Sequence, residues 1–169
     1  MTVDSFKFLP RLIASFYQTT DIQPMVPIPW APLARPLSEC KFGLVTSAGL
    51  YHKGIEPPFD LLREQSEPTW GDPSFRTLPT RLRQEEIGVS HLHVNTSDIE
   101  SDVNIVLPIQ RFLELVETGR IGGLAQHAYS FMGYQGFPPD THAWQSDYGP
   151  QVAEKLKAEA VDCVFLTPS

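Results

Sequence analysis

The chain has 169 residues, 41% of them hydrophobic and 20% charged, a composition that suits a globular domain with a buried core. A formal net charge of −7 repels a phosphate backbone, which excludes nucleic acid as a natural partner. No apolar run approaches the ~18 residues of a membrane span, and no basic-then-apolar leader opens the chain, so a cytoplasmic, membrane-free protein is expected.

Asp4 is placed to cap a first helix with Leu9, Leu12, Ile13 and Phe16 on one face, provided Pro10 sits in its first turn. Pro24 to Leu37 then holds five prolines in fourteen residues. Such a stretch favours polyproline-type extension, a stiff arm with Trp30 and Leu33 as anchors. Residues 1–37 are accordingly read as helix plus arm, and 38–169 as the main domain.

Phe42 to Ser47 is a strand-length apolar run, with Ala48-Gly49 at its carboxyl end. In a parallel sheet that end is where ligands bind, which singles out Thr46 and Ser47. Glu56 to Arg83 reads as a long surface loop punctuated by prolines, with a brief extended piece at Phe75, Arg76 and Leu78. Val89 to Val94 is read as a strand, and Asn95 to Asn104 as a polar loop.

Leu107 to Gly119 has the periodicity of a helix. Pro108 suits its first turn, Ile109, Phe112, Leu113 and Val116 share a face, and Gly119 supplies a left-handed close. Ile121 to Phe131 is extended again, followed by a loop from Gly133 to Trp144. Pro150 opens another helix, with Val152, Ala153, Leu156 and Ala160 facing inward, and Val161 to Leu166 is a last short strand. Strands alternating with helices predict an α/β fold: a mainly parallel open sheet with flanking helices.

The polar residues gather around this framework. His91 and His93, two apart on a strand, share a face and offer, with Asp102, a nitrogen and oxygen set for a metal-dependent hydrolase; Asp98, Glu100 and His127 are further candidate ligands. The competing assignment is structural: hydrogen-bonded histidines at a strand end, and Asp102 and Asn104 capping local backbone. His127, beside Tyr129 and Ser130 in AQHAYSFMG, is a candidate general acid or base. There is no GxSxG elbow, GxGxxG or GxxxxGK[ST]. Cys40 and Cys163 form no CxxC pair and are expected to be small buried residues.

Several segments taken together carry a resemblance: IPWAPLARPLSECKFGLVTSAGLYHKG, GDPSFRTLP, the run from Ser90 to Tyr134, and VAEKLKAEAVDCVFLTPS. In that order they resemble the selenoprotein B family of glycine, sarcosine, betaine and D-proline reductases, nearer its D-proline reductase side. The specific features are Asp102 to Pro108, the GRIG turn and HxYSFMG. The resemblance implies a reductase subunit that cleaves a C–N bond of an amino acid or similar amine. It also implies a redox selenocysteine or cysteine after the LTP strand end, that is, after Ser169. Electrons would come from a dithiol or thioredoxin-type donor, and a pyruvoyl group on a partner subunit would hold the amine. The chain holds no such group, so a selenoprotein read short at its selenocysteine codon is expected, inactive and poorly soluble as given. On this view His127, Asp102 and His91 are candidate catalytic residues, and Thr46, Ser47 and Tyr129 candidate substrate contacts. A noncatalytic accessory domain docking a larger enzyme through the proline arm is the remaining alternative.

Overall fold

A computed structural model describes Arg11, Ser15 and residues 31–168. Chain contacts divide the polypeptide into two compact units, Met1–Pro32 and Leu33–Ser169. The expected first helix with Asp4 and Pro10, and most of the arm including Trp30, lie outside the described residues. Leu33, expected to anchor the arm, is exposed.

The sheet of the second unit is built on β1, Lys41–Thr46. One edge of β1 pairs in parallel with β7, Cys163–Thr167, from Phe42↔Cys163 to Thr46↔Thr167. Its other edge pairs in parallel with the short β5, Gly123–Leu124, and then with β6, His127–Phe131. β3, Phe75–Pro79, lies antiparallel outside β6. A separate antiparallel ribbon joins β2, Leu50–His52, to β4, Ile87–Val89. The sheet is therefore open and mainly parallel, as the alternation of strands and helices predicts.

Alternation along the strands sends side chains to two cores. Leu44 and Ala128 face a core with Ile109 and Phe112 of α3, Ile109–Glu117, and Ile99 of α2, Thr96–Ser101. Val45, Tyr129 and Phe131 face a second core with Val152 and Leu156 of α4, Gly149–Ala158. Helices thus cover both faces. Gly119 closes the turn after α3 with φ of +67°, where a side chain would be strained.

The structure corrects five details. Asn95 to Asn104, expected as a polar loop, contains α2, because Asn95 caps it by accepting the Ser97 N–H and Ile99 is buried. β4 ends at Val89, so His91 and His93 sit in a turn and not on a strand. Within Glu56 to Arg83, helix α1, Leu61–Ser66, is capped by Asp60, whose Oδ1 accepts from the Arg63 N–H at 3.0 Å. On α3 Leu113 is exposed, and Leu115 and Val116 turn inward with Ile109 and Phe112. On α4 Ala153 is exposed, and Ala160 lies beyond the helix with φ of +55°.

Candidate functional site

The parallel strands β1, β6 and β7 all end at one edge of the sheet, and a groove of about 460 Å³ opens there. It is lined by Val45, Thr46 and Ser47 at the end of β1, Leu166, Thr167 and Pro168 at the end of β7, Phe131 at the end of β6, and Trp144 and Gly149 from the α4 side. Strand pairing draws the floor together at the Thr167 carbonyl. That oxygen accepts the Ser47 N–H at 3.2 Å and the Thr46 hydroxyl at 3.1 Å. Thr46 Oγ1 in turn accepts from the Ala48 N–H at 3.3 Å, which fixes its rotamer.

Opposite this floor, Trp144–Tyr148 forms a π-helical turn that runs into α4. π-turns recur at functional sites because they rotate side chains out of the regular helical path. Here the turn sets Trp144 edge-on to Phe131, ring centroids 5.6 Å apart. A Cβ at position 149 would come within 2.4 Å of the Trp144 carbonyl oxygen, so only glycine fits the junction. Among the described residues no charged side chain lines the groove. Two polar atoms of its lining, Trp144 Nε1 and Thr167 Oγ1, are buried with no hydrogen-bond partner among the described residues.

Of the residues singled out from sequence, Thr46 and Ser47 fall in this groove. Tyr129 does not line it; its ring is buried against Val152 and Leu156, edge-on to Phe75. Burial, and then the nearby Glu159 charge, push the Tyr129 phenol above its ordinary pKa. His127 opens β6, about 13 Å along the strand from Phe131 and so at the amino edge of the sheet. There its Nδ1 meets Glu159 Oε1 at 2.6 Å.

Asp102 is exposed, and its Oδ1 accepts from the Asn104 N–H at 3.0 Å and Asn104 Nδ2 at 2.7 Å. Those side-chain and backbone hydrogen bonds hold its carboxyl below the usual value. The capping role of Asp102 is what the geometry shows.

His91 and His93 do meet, ring centroids 6.1 Å apart and perpendicular. Gly49 arranges this. Its φ of +67° lets its carbonyl accept the Ser90 N–H at 2.8 Å, and a Cβ there would meet Ser90 O at 2.2 Å. His91 Nδ1 accepts the His93 N–H at 3.2 Å, which leaves Nε2 buried and unpaired among the described residues. His93 Nε2 lies 3.2 Å from Glu64 Oε1, a buried carboxylate of α1, while its ring packs on Tyr134. Among the described residues no three His, Cys, Asp or Glu side chains gather as a metal-ligand set.

Sequence reasoning missed Trp144, Thr167, Glu64 and Glu159. Only Thr167 carried a usable signal, as the residue that directly follows an apolar run; the others reach their partners through long-range packing.

An open, mainly parallel sheet with helices on both faces and a groove at its carboxyl edge is the architecture of α/β domains that bind small molecules. Comparison with known proteins is more specific: the chain belongs to the glycine/sarcosine/betaine reductase selenoprotein B family, which matches residues 8–169. It is 34% identical over 145 residues to D-proline reductase subunit gamma of Acetoanaerobium sticklandii, covering 85% of this chain and 55% of that one. It is 31% identical over 140 residues to the glycine reductase complex component B subunit gamma of Symbiobacterium thermophilum, covering 83% of this chain and 31% of that one. The chain thus spans about half the length of the first relative and under a third of the second. No solved structure matches it. No helix among the described residues is long and apolar enough to cross a membrane.

Proposed function

We propose that this chain is the substrate-side portion of a selenol- or thiol-dependent reductase subunit, acting in the reductive cleavage of a C–N bond in an amino acid or similar amine. The observation that carries the proposal is the groove at the carboxyl edge, because β7 leads the polypeptide directly into its wall at Thr167 and Pro168. A selenocysteine or cysteine following Ser169 would stand where α/β domains place their reactive groups. Such a residue would supply two-electron reduction: its selenium or sulfur would bond to the substrate carbon as the C–N bond breaks and the amine leaves with the bonding pair and takes a proton. A thiol would then take the selenium or sulfur off that carbon, which gains a proton, and a dithiol or thioredoxin-type donor would reduce the bond left between the two.

The residues present suit that group. Trp144 Nε1 and the Thr167 hydroxyl offer hydrogen to an anionic selenium or sulfur, and among the described residues no carboxylate lines the groove to repel it. Thr46 and Ser47 provide the polar side of the substrate contact, and Phe131, Leu166 and Trp144 exclude water. A partner subunit, carrying a pyruvoyl group in the D-proline case, would hold the amine. His91, Asp102 and His127 lie outside the groove lining and take no part in this scheme.

The test is the transcript beyond the Ser169 codon, together with the intact mass and selenium content of the protein from its native source. A UGA followed in frame by coding sequence, with about one selenium per chain, is expected. A UAA or UAG codon, with a mass ending at Ser169 and no selenium, would overturn the selenol assignment.

A further inference from the structure

At the amino edge of the sheet, remote from the groove, lies a second and polar concavity of about 300 Å³, lined by Pro79, Thr80, Arg81, Gln126 and His127. Its chemistry differs from the groove in every respect. Glu159, just past the end of α4, accepts from the Gln126 N–H and meets His127 Nδ1 at 2.6 Å. Burial alone would raise the Glu159 carboxyl; the hydrogen bonds from His127 and from the Gln126 N–H outweigh it and hold the group below its ordinary value. An ionised carboxylate only accepts, so the proton of this contact sits on Nδ1 and Nε2 is left for a ligand. His127 is 40% exposed, so a ligand can reach it.

Arg81 is the second feature. In a chain of net charge −7, its exposed guanidinium lines this pocket without a hydrogen bond or ion pair among the described residues. The other cations nearby are committed. Lys41, at the start of β1, spends its ammonium on the Glu159 carbonyl at 2.7 Å, and the Lys41 N–H bonds Asp162. The Thr80 hydroxyl is turned to the Ala125 carbonyl at 2.7 Å, so the charged or titratable groups of the lining left to address a ligand are Arg81 and His127, with the Gln126 side-chain amide beside them.

We propose that this pocket binds a small oxyanion, a carboxylate or phosphate of a few heavy atoms, between the Arg81 guanidinium and His127 Nε2. The volume admits a small molecule and is too narrow for a helix or a strand of another protein. His127 bridges Glu159 through Nδ1 and the ligand through Nε2, which donates to the anion when the ring carries both protons. Arg81 and His127 are the binding residues; Glu159 positions the ring. The inference is independent of the chemistry in the groove.

The experiment uses the full chain with acetate and inorganic phosphate as probes. It follows the histidine ring signals by NMR and the heat of binding. Saturable shifts of the His127 signals are expected. Arg81→Gln, an exposed position, is expected to weaken binding about tenfold at unchanged Tm. His127→Asn, which keeps a polar side chain but loses the ring, is expected to weaken binding to a similar extent. Tighter acetate assigns a carboxylate ligand and tighter phosphate a phosphate-bearing one; either result supports the site. No saturable shift with either anion, or equal affinity in Arg81→Gln, would overturn it.

Discussion

Glu64 and His91 show how single buried groups set the pH response of this fold. Burial pushes the Glu64 carboxyl above its ordinary value of 4.5, with His93 opposing that shift. The folded chain therefore holds the Glu64 proton more firmly than the unfolded chain. Its stabilising contribution is full below pH 4.5 and is lost as pH rises through the raised folded value. His91 behaves inversely: burial first, then His93, push its ring below 6.5, so its contribution grows as pH rises towards 6.5 and is lost on acidification. The two slopes oppose each other. Glu64→Gln removes one of them and relieves a buried charge, and is expected to be about 1 kcal/mol more stable than wild type at pH 8, roughly 2–4 °C in Tm. Between pH 5 and 6.5 its Tm should climb more steeply with pH, because the His91 term then stands alone. Thermal melts across pH 4.5–8 check both effects; a variant less stable at pH 8 would show that the His93 contact outweighs burial.

At the scale of elements, α4 is held to the sheet where Gly43 of β1 leaves room for it. A Cβ at position 43 would lie 2.5 Å from Leu156 Cδ2 and 3.2 Å from Val161 Cγ1. Leu156→Ala opens a cavity and is expected to cost about 2–4 kcal/mol; Gly43→Ala overpacks the same spot at about 1–3 kcal/mol. In the double variant the new methyl occupies the vacated space, so the combined loss should fall short of the sum by about 1 kcal/mol or more. Denaturant unfolding of the four proteins measures this directly, and strict additivity would mean that α4 does not pack as the structure has it.

This contact also shows which parts of the fold were legible in the sequence. β1, α3 and α4 were readable because each carries its own period, and Gly119 and Pro150 mark boundaries by backbone chemistry alone. Thr46 and Ser47 were found because a strand end in a parallel sheet is a position and not a motif. The strand drawn through His91 and His93 failed because Val89 to Val94 interleaves apolar and polar residues in a run too short to tell strand from turn. α1 was hidden by the prolines around it, since its buried group is a glutamate and not an apolar stripe. Trp144 and Glu159 act through packing with residues far along the chain, which no local pattern encodes.

For the whole molecule the decisive surface is β7. It pairs with β1 along one edge and, among the described residues, with no strand along the other. Edge strands are normally blunted by charge, proline or a bulge, yet Cys163–Thr167 reads CVFLT and carries neither charge nor proline. Parallel strands are ordinarily covered on both faces, but Val164 is 45%, Phe165 43% and Leu166 68% exposed. Backbone groups free to pair and apolar side chains on both faces make this edge a template for another strand. The chain is therefore expected to self-associate with rising concentration through β7. Val164→Lys places a charge on the open edge away from the Phe112–Phe165 ring contact, where a surface substitution costs within about 0.5 kcal/mol. Sedimentation velocity should show concentration-dependent association for wild type and a monomer for the variant at matching Tm. The same sedimentation for both would place the association elsewhere on the molecule and remove β7 as its cause.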